Sequence, residues 1–141
     1  MSHGYTPLTN ISKQNINDLK LSWSLTMAEG SNQGTPLVYD GIMFLTHPDN
    51  IIQAINAENG NLIWEYKYNY EKGSKTLGGP TRNIAIFKNK IFLATYDAHI
   101  IALDAESGKL VWKTKKANYE DGYTHTSGPC LLYTSDAADD C

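Results

Sequence analysis

The chain of 141 residues carries 12 basic and 15 acidic side chains, a formal net charge of −3, and 41% hydrophobic residues. That is the composition of an ordinary globular protein and excludes a disordered or fibrous one. No apolar run nears the ~18–20 residues of a membrane span, no basic-then-apolar signal is visible in Met1-Ser2-His3-Gly4, and the charge gives no support to a nucleic-acid or anionic-membrane surface.

In chain order, Ser12 is placed to cap a short helix over Lys13 to Leu19, with Ile16 and Leu19 on one face. It leads into a strand around Leu21 to Leu25 that holds Trp23. That strand lacks three companions of its own, so it is expected to complete a sheet supplied from far downstream. Leu37 to Tyr39 reads as a short strand ended by Asp40-Gly41, a hairpin signal. Ile42 to Thr46 and Ile51 to Ile55 follow, separated by a Pro48-Asp49-Asn50 turn. Ala57-Glu58-Asn59-Gly60 closes the third strand with a glycine able to take positive φ. Leu62 to Tyr70 reads as the fourth strand, with Tyr66, Tyr68 and Tyr70 on one face.

The same pattern returns 48 residues later without a gap. Phe44-Leu45 falls on Phe92-Leu93, Asp49 on Asp97, Ala57-Glu58 on Ala105-Glu106, Gly60 on Gly108, and Trp64 on Trp112. The second set of strands is therefore Ile84–Phe87, Ile91–Thr95, His99–Leu103 and Leu110–Lys115. A repeat of this size with four antiparallel strands per unit describes propeller blades, at about 35–70 and 83–119. Trp64 and Trp112 are expected to pack between neighbouring blades.

The end of the chain has another character. Cys130 to Asp139 reads C-L-L-Y-T-S-D-A-A-D and matches, residue for residue, one frame of a transposon-type sequencing adapter. Residues 130–141 are accordingly expected to be adapter-derived; the other reading is a strand over Leu131 to Thr134 with an acidic tail. Both cysteines then fall in the tail, so no disulfide, zinc or thiol chemistry is argued from them. The tail also holds Asp136, Asp139 and Asp140, leaving 12 acids against 12 bases in residues 1–129.

The segment Ala102-Leu103-Asp104-Ala105-Glu106-Ser107-Gly108-Lys109-Leu110-Val111-Trp112 resembles the tryptophan-docking repeat of quinoprotein propellers, and Asn56 to Trp64 is a weaker copy. Tyr5-Thr6-Pro7-Leu8 with Ile11, Asn15, Leu19 and Trp23 adds to this. With Gly34-Thr35-Pro36-Leu37-Val38 and Gly122-Tyr123-Thr124-x-Thr126, it resembles the PQQ-dependent alcohol dehydrogenases, the methanol/ethanol family, over residues 5 to 129. The resemblance implies an all-β chain, a fragment of an eight-bladed quinoprotein β-propeller. It implies pyrroloquinoline quinone as cofactor beside a calcium or lanthanide ion, a small alcohol as substrate, a cytochrome c-type electron acceptor and a periplasmic location.

Three positions carry over to the cofactor. Arg82, the chain's sole arginine, matches the arginine that contacts the quinone oxygens, where a permanently charged fork suits adjacent oxygens and the negative charge that develops on hydride acceptance. Thr126 matches a threonine that hydrogen-bonds the quinone. Gln33 stands where relatives commonly have a glutamate. Many relatives have two adjacent cysteines a few residues before the arginine, where this chain has Thr76-Leu77. The family's metal ligands and catalytic aspartate are expected beyond Pro129, so the fragment is expected to be inactive. The competing reading is a cofactor-free propeller scaffold that binds protein, of the outer-membrane assembly type.

Other polar residues read as structural. His47, His99 and His125 have no metal-ligand spacing, Asp49 and Asp97 read as turn formers, and Asp104 as tying its own turn. Lys113, Lys115 and Lys116 read as a solvated face, and no phosphate loop or nucleophile elbow appears.

Overall fold

A computed structural model of the chain describes residues 8–70, 79–125 and 127–130. Alternating apolar residues and strong turn signals set up eight strands: β1 (Leu37–Tyr39), β2 (Ile42–His47), β3 (Ile51–Asn56), β4 (Leu62–Lys67), β5 (Ala85–Phe87), β6 (Lys90–Ala94), β7 (His99–Asp104) and β8 (Leu110–Lys115). They form two four-stranded antiparallel sheets, β1-β2-β3-β4 and β5-β6-β7-β8, each in chain order. The all-β, two-blade reading and the 48-residue repeat are both realised.

The repeat is geometric as well as sequential. Leu37, Phe44, Ala54 and Trp64 stand opposite one another across the first sheet, as Ala85, Phe92, Ala102 and Trp112 do across the second. Each sheet carries one register shift, after Ala54 and after Ala102. The Phe44–Trp64 and Phe92–Trp112 ring pairs both lie 5.9 Å apart at 47°. The β3–β4 and β7–β8 turns close on Gly60 (φ 76°) and Gly108 (φ 69°). Asp104 ties its turn as expected, its Oδ1 accepting from the Ser107 amide at 2.8 Å and hydroxyl at 2.7 Å.

The core lies between the sheets. Phe44, Ile52, Ala54 and Trp64 of the first join Ile91, Leu93, Ile101 and Leu103 of the second in one buried cluster. Trp64 is the key of this joint, its indole N–H donating to the Ala105 carbonyl at 3.0 Å. Its ring fills the space where Gly108 lacks a side chain, since a Cβ there would lie 2.6 Å from it.

Several local expectations are corrected. The helix over Lys13–Leu19 is only a 3₁₀ turn, Ile16–Asp18. Ser12 does not cap it, because its hydroxyl and amide both donate to Asn15 Oδ1, at 3.1 and 2.7 Å. Asn15 in turn donates to the Asn10 carbonyl at 2.8 Å, so local side-chain bonds displace helical ones. Leu21 to Leu25 joins no ladder among the described residues. Trp23 instead docks on the first sheet's β3–β4 turn, donating to the Ala57 carbonyl at 3.0 Å and covering Gly60. The fourth strand ends at Lys67, the partner of Ile51 with which β3 begins, so Tyr68 and Tyr70 lie beyond the ladder. Trp112 is 39% exposed and has no socket like that of Trp64 among the described residues.

Candidate functional site

The site builds on the end of the sheets where β1 and β5 begin, the β2–β3 and β6–β7 turns reverse, and β4 finishes. Two of the three expected cofactor residues meet there. Arg82 Nε donates to Gln33 Oε1 at 3.1 Å, both side chains being exposed. Gln33 Nε2 donates onward to Ser31 Oγ at 3.1 Å, so both ends of the amide are engaged and its carbonyl faces the guanidinium. Thr126 lies outside the described residues, as do Thr76 and Leu77. Among the described residues, Gly128 lies against Asn83, the residue after Arg82: a Cβ on Gly128 would stand 2.5 Å from Asn83 Cβ.

The approach of the two segments needs a bare backbone. A Cβ on Gly34 would fall 1.8 Å from Thr46 Oγ1 and 3.3 Å from the Arg82 carbonyl. With glycine there, the Thr46 hydroxyl reaches the Thr81 carbonyl at 2.9 Å.

Beneath Arg82 is a buried polar network that the sequence reading missed. Thr81 Oγ1 accepts from the Asn50 amide and from Asn50 Nδ2, both at 3.1 Å, and lies 3.4 Å from the Tyr96 hydroxyl. Asn50 Oδ1 accepts from the Tyr70 hydroxyl at 2.9 Å and from the Tyr96 amide at 3.1 Å. The Tyr96 hydroxyl also donates to the Gly79 carbonyl. Burial pushes the Tyr70 and Tyr96 phenols up; for Tyr96 the bond to Thr81 and the nearby Arg82 charge pull the other way. The signal in the sequence was departure from the repeat: Asn50 aligns with Ala98, and Tyr96 with Pro48.

A second buried group joins the sheets further out. Asp97, fully buried, accepts from the Tyr68 hydroxyl at 2.9 Å and from the Thr95 hydroxyl. His99 Nδ1 stands 3.3 Å from the same carboxylate. Asp97 is therefore more than a turn former, whereas Asp49 is exposed with φ 63°. Lys113 is not merely solvated either, its Nζ sitting 4.9 Å above the Tyr68 ring. Beside the end of β8 is a cleft of about 450 Å³ lined by Ala98, Lys116, Ala117, Tyr123, Thr124 and His125. Burial, and then the Lys116 charge, lower the His125 pKa. The described residues hold no group of three or more side chains suited to a metal ion.

The family model of the glucose/ethanol/alcohol dehydrogenase β-propeller domain matches residues 1–115. Among curated relatives, the chain is 33% identical over 93 residues to quinohemoprotein alcohol dehydrogenase ADH-IIG of Pseudomonas putida, covering 63% of this chain and 13% of that protein. It is 32% identical over 95 residues to the 1-butanol dehydrogenase (cytochrome c) of Thauera butanivorans, covering 64% of this chain and 14% of that one. Among solved structures, a europium-containing methanol dehydrogenase superposes with a TM-score of 0.74 at 30% identity, over 89% of this chain and 23% of its own. The chain thus spans between an eighth and a quarter of the length of these relatives.

Proposed function

This chain belongs to the β-propeller domain family of glucose, ethanol and alcohol dehydrogenases, and we propose that it is the N-terminal part of a PQQ-dependent dehydrogenase that oxidises a primary alcohol to the aldehyde. The observation that carries this reading is the pairing of Arg82 with Gln33 at the sheet ends. The donor set fits the cofactor: a planar, permanent cation beside an amide suits a ligand rich in carboxylates and adjacent quinone oxygens.

Bound pyrroloquinoline quinone would supply the hydride-accepting chemistry. Arg82 would fork onto its oxygens and favour negative charge there. Gln33, accepting from Nε, would fix the guanidinium plane, and the Thr126 hydroxyl would add a third contact. In this reading the calcium or lanthanide ligands and the catalytic base belong to other parts of an eight-bladed ring, so the 141-residue chain alone turns over no alcohol. A metal is supported by the europium-containing relative, and a cytochrome c-type acceptor by the cytochrome c-linked butanol enzyme; the location proposed is the periplasm.

The test is steady-state kinetics of Arg82→Lys and Arg82→Ala in the full-length enzyme saturated with cofactor. Lysine keeps the charge and loses the fork, so kcat should fall on the order of 10²-fold, as when one oxyanion donor is removed. Wild-type rates in both variants would remove Arg82 from the cofactor's surroundings.

A further inference from the structure

We infer that Asn50 is a positioning residue for Arg82, acting across the sheet junction through Thr81; the inference rests on the reading of Arg82 as a cofactor contact. Arg82 sits outside any strand, between the described Gly79 and the start of β5 at Ala85. A long exposed side chain on an irregular segment delivers its head group reproducibly only if its own backbone is fixed. That backbone is fixed one residue earlier. Thr81 is 5% exposed, its hydroxyl oxygen holding both Asn50 donors and its carbonyl held by Thr46. Tyr96, from the turn of the second sheet, closes the clamp on the Gly79 carbonyl.

Asn50 is the hub. It is fully buried, and its side-chain oxygen serves Tyr70 and the Tyr96 amide while its side-chain nitrogen serves Thr81. A buried amide is costly unless it is bonded in this way, so a turn that only had to reverse the chain would do without it. The second sheet shows this directly. Ala98 occupies the corresponding turn position with nearly the same backbone, φ 59° against 56° for Asn50. It bonds through its backbone alone, its amide donating to the Thr95 carbonyl and its carbonyl accepting from the amides of Lys116 and Ala117. Of these two equivalent positions, the side-chain amide is present at the one that bonds to Thr81, the residue before Arg82.

The chain's single arginine gives a unique Nε–H cross-peak, so ¹⁵N relaxation can follow Arg82 in the whole chain without cofactor. The wild type and Thr81→Ser, which keeps the hydroxyl, should give an Nε order parameter above about 0.6, and Asn50→Ala one below it. Tyr70→Phe, which removes one bond to the hub, should lie between them. The Trp64 indole cross-peak reports whether the sheet junction survives. An unchanged Arg82 order parameter in Asn50→Ala, with the Trp64 peak in place, overturns the inference. If Asn50→Ala loses that peak, Tyr70→Phe decides by the same criterion. A parallel titration of the full-length apoenzyme with PQQ separates the two readings. Arg82→Ala should weaken binding on the order of 10-fold or more, the loss of one charge-assisted contact, and Asn50→Ala by a smaller factor in the same direction. Undiminished affinity in Arg82→Ala sinks the cofactor contact and leaves the relaxation result to decide the positioning role alone.

Discussion

Trp64 and Trp112 hold the same register position in β4 and β8, against the same kind of phenylalanine at the same angle. Their surroundings nevertheless differ. Trp64 is 9% exposed, and Trp112 39%. The difference is the turn on the other side: Ala105 and Gly108 receive Trp64, and no described turn receives Trp112. The tryptophan of a fourth strand is thus buried by the neighbouring sheet and not by its own ladder: β4 has Trp64 buried and Tyr66 half-buried, whereas every residue of β8 is exposed.

Truncation should break this comparison most sharply. Trp64→Ala removes a buried anchor and should cost about 3–5 kcal/mol, whereas Trp112→Ala, losing chiefly its ring contact with Phe92, should cost about 1 kcal/mol; urea unfolding of both reads the gap. Next in size is the socket. Gly108→Ala combines a left-handed backbone with a Cβ driven into the Trp64 ring and should cost about 3 kcal/mol. Gly41→Ala has a similar φ of 74° but open space around the new methyl, so only the backbone penalty of about 1 kcal/mol remains.

A pH series sharpens the contrast further. Burial holds the Tyr68 and Tyr70 phenols above their ordinary range, whereas in the unfolded chain they ionise near about pH 10. With the folded pKa raised, their contribution is complete below about pH 10 and is lost as pH rises toward the folded values. Urea midpoints should therefore fall above about pH 10, less steeply for Tyr70→Phe relative to its own neutral value. The smallest effect is expected from deleting residues 130–141, proposed to be adapter-derived, which should leave the melting temperature unchanged. A measurable drop would mean that the tail packs.

The sheets were legible because their information is local. Asp40-Gly41, Asn56 to Gly60 and Asp104 to Gly108 state their turns outright, and the 48-residue repeat fixes which strands correspond. What was missed depends on partners distant in sequence. Trp23 gave no sign that its indole would seek the Ala57 carbonyl and leave no ladder behind. Tyr68 and Tyr70 fit the alternation of β4, yet the ladder stops where β3 runs out, and their hydroxyls go to Asp97 and Asn50. At the site, Arg82 and Gln33 were found through resemblance, and the structure places them in contact. Asn50 and Thr81 escaped because a turn asparagine and a loop threonine carry no chemical signature until their burial is known.

The docking tryptophans also impose an order in time. Trp23 binds the turn at Ala57 and Gly60, and Trp64 the turn at Ala105 and Gly108. Each reaches forward along the chain, 34 and 41 residues respectively from its carbonyl partner. A polypeptide emerging from the ribosome amino-terminus first therefore cannot bury Trp23 until Gly60 is out, or Trp64 until Gly108 is out. The first sheet is sealed by the second, synthesised after it, and the two loops to be closed are similar in length, so the entropic cost of the two steps is nearly the same. Over these two steps assembly advances like a zipper, with Trp112 left open at its end.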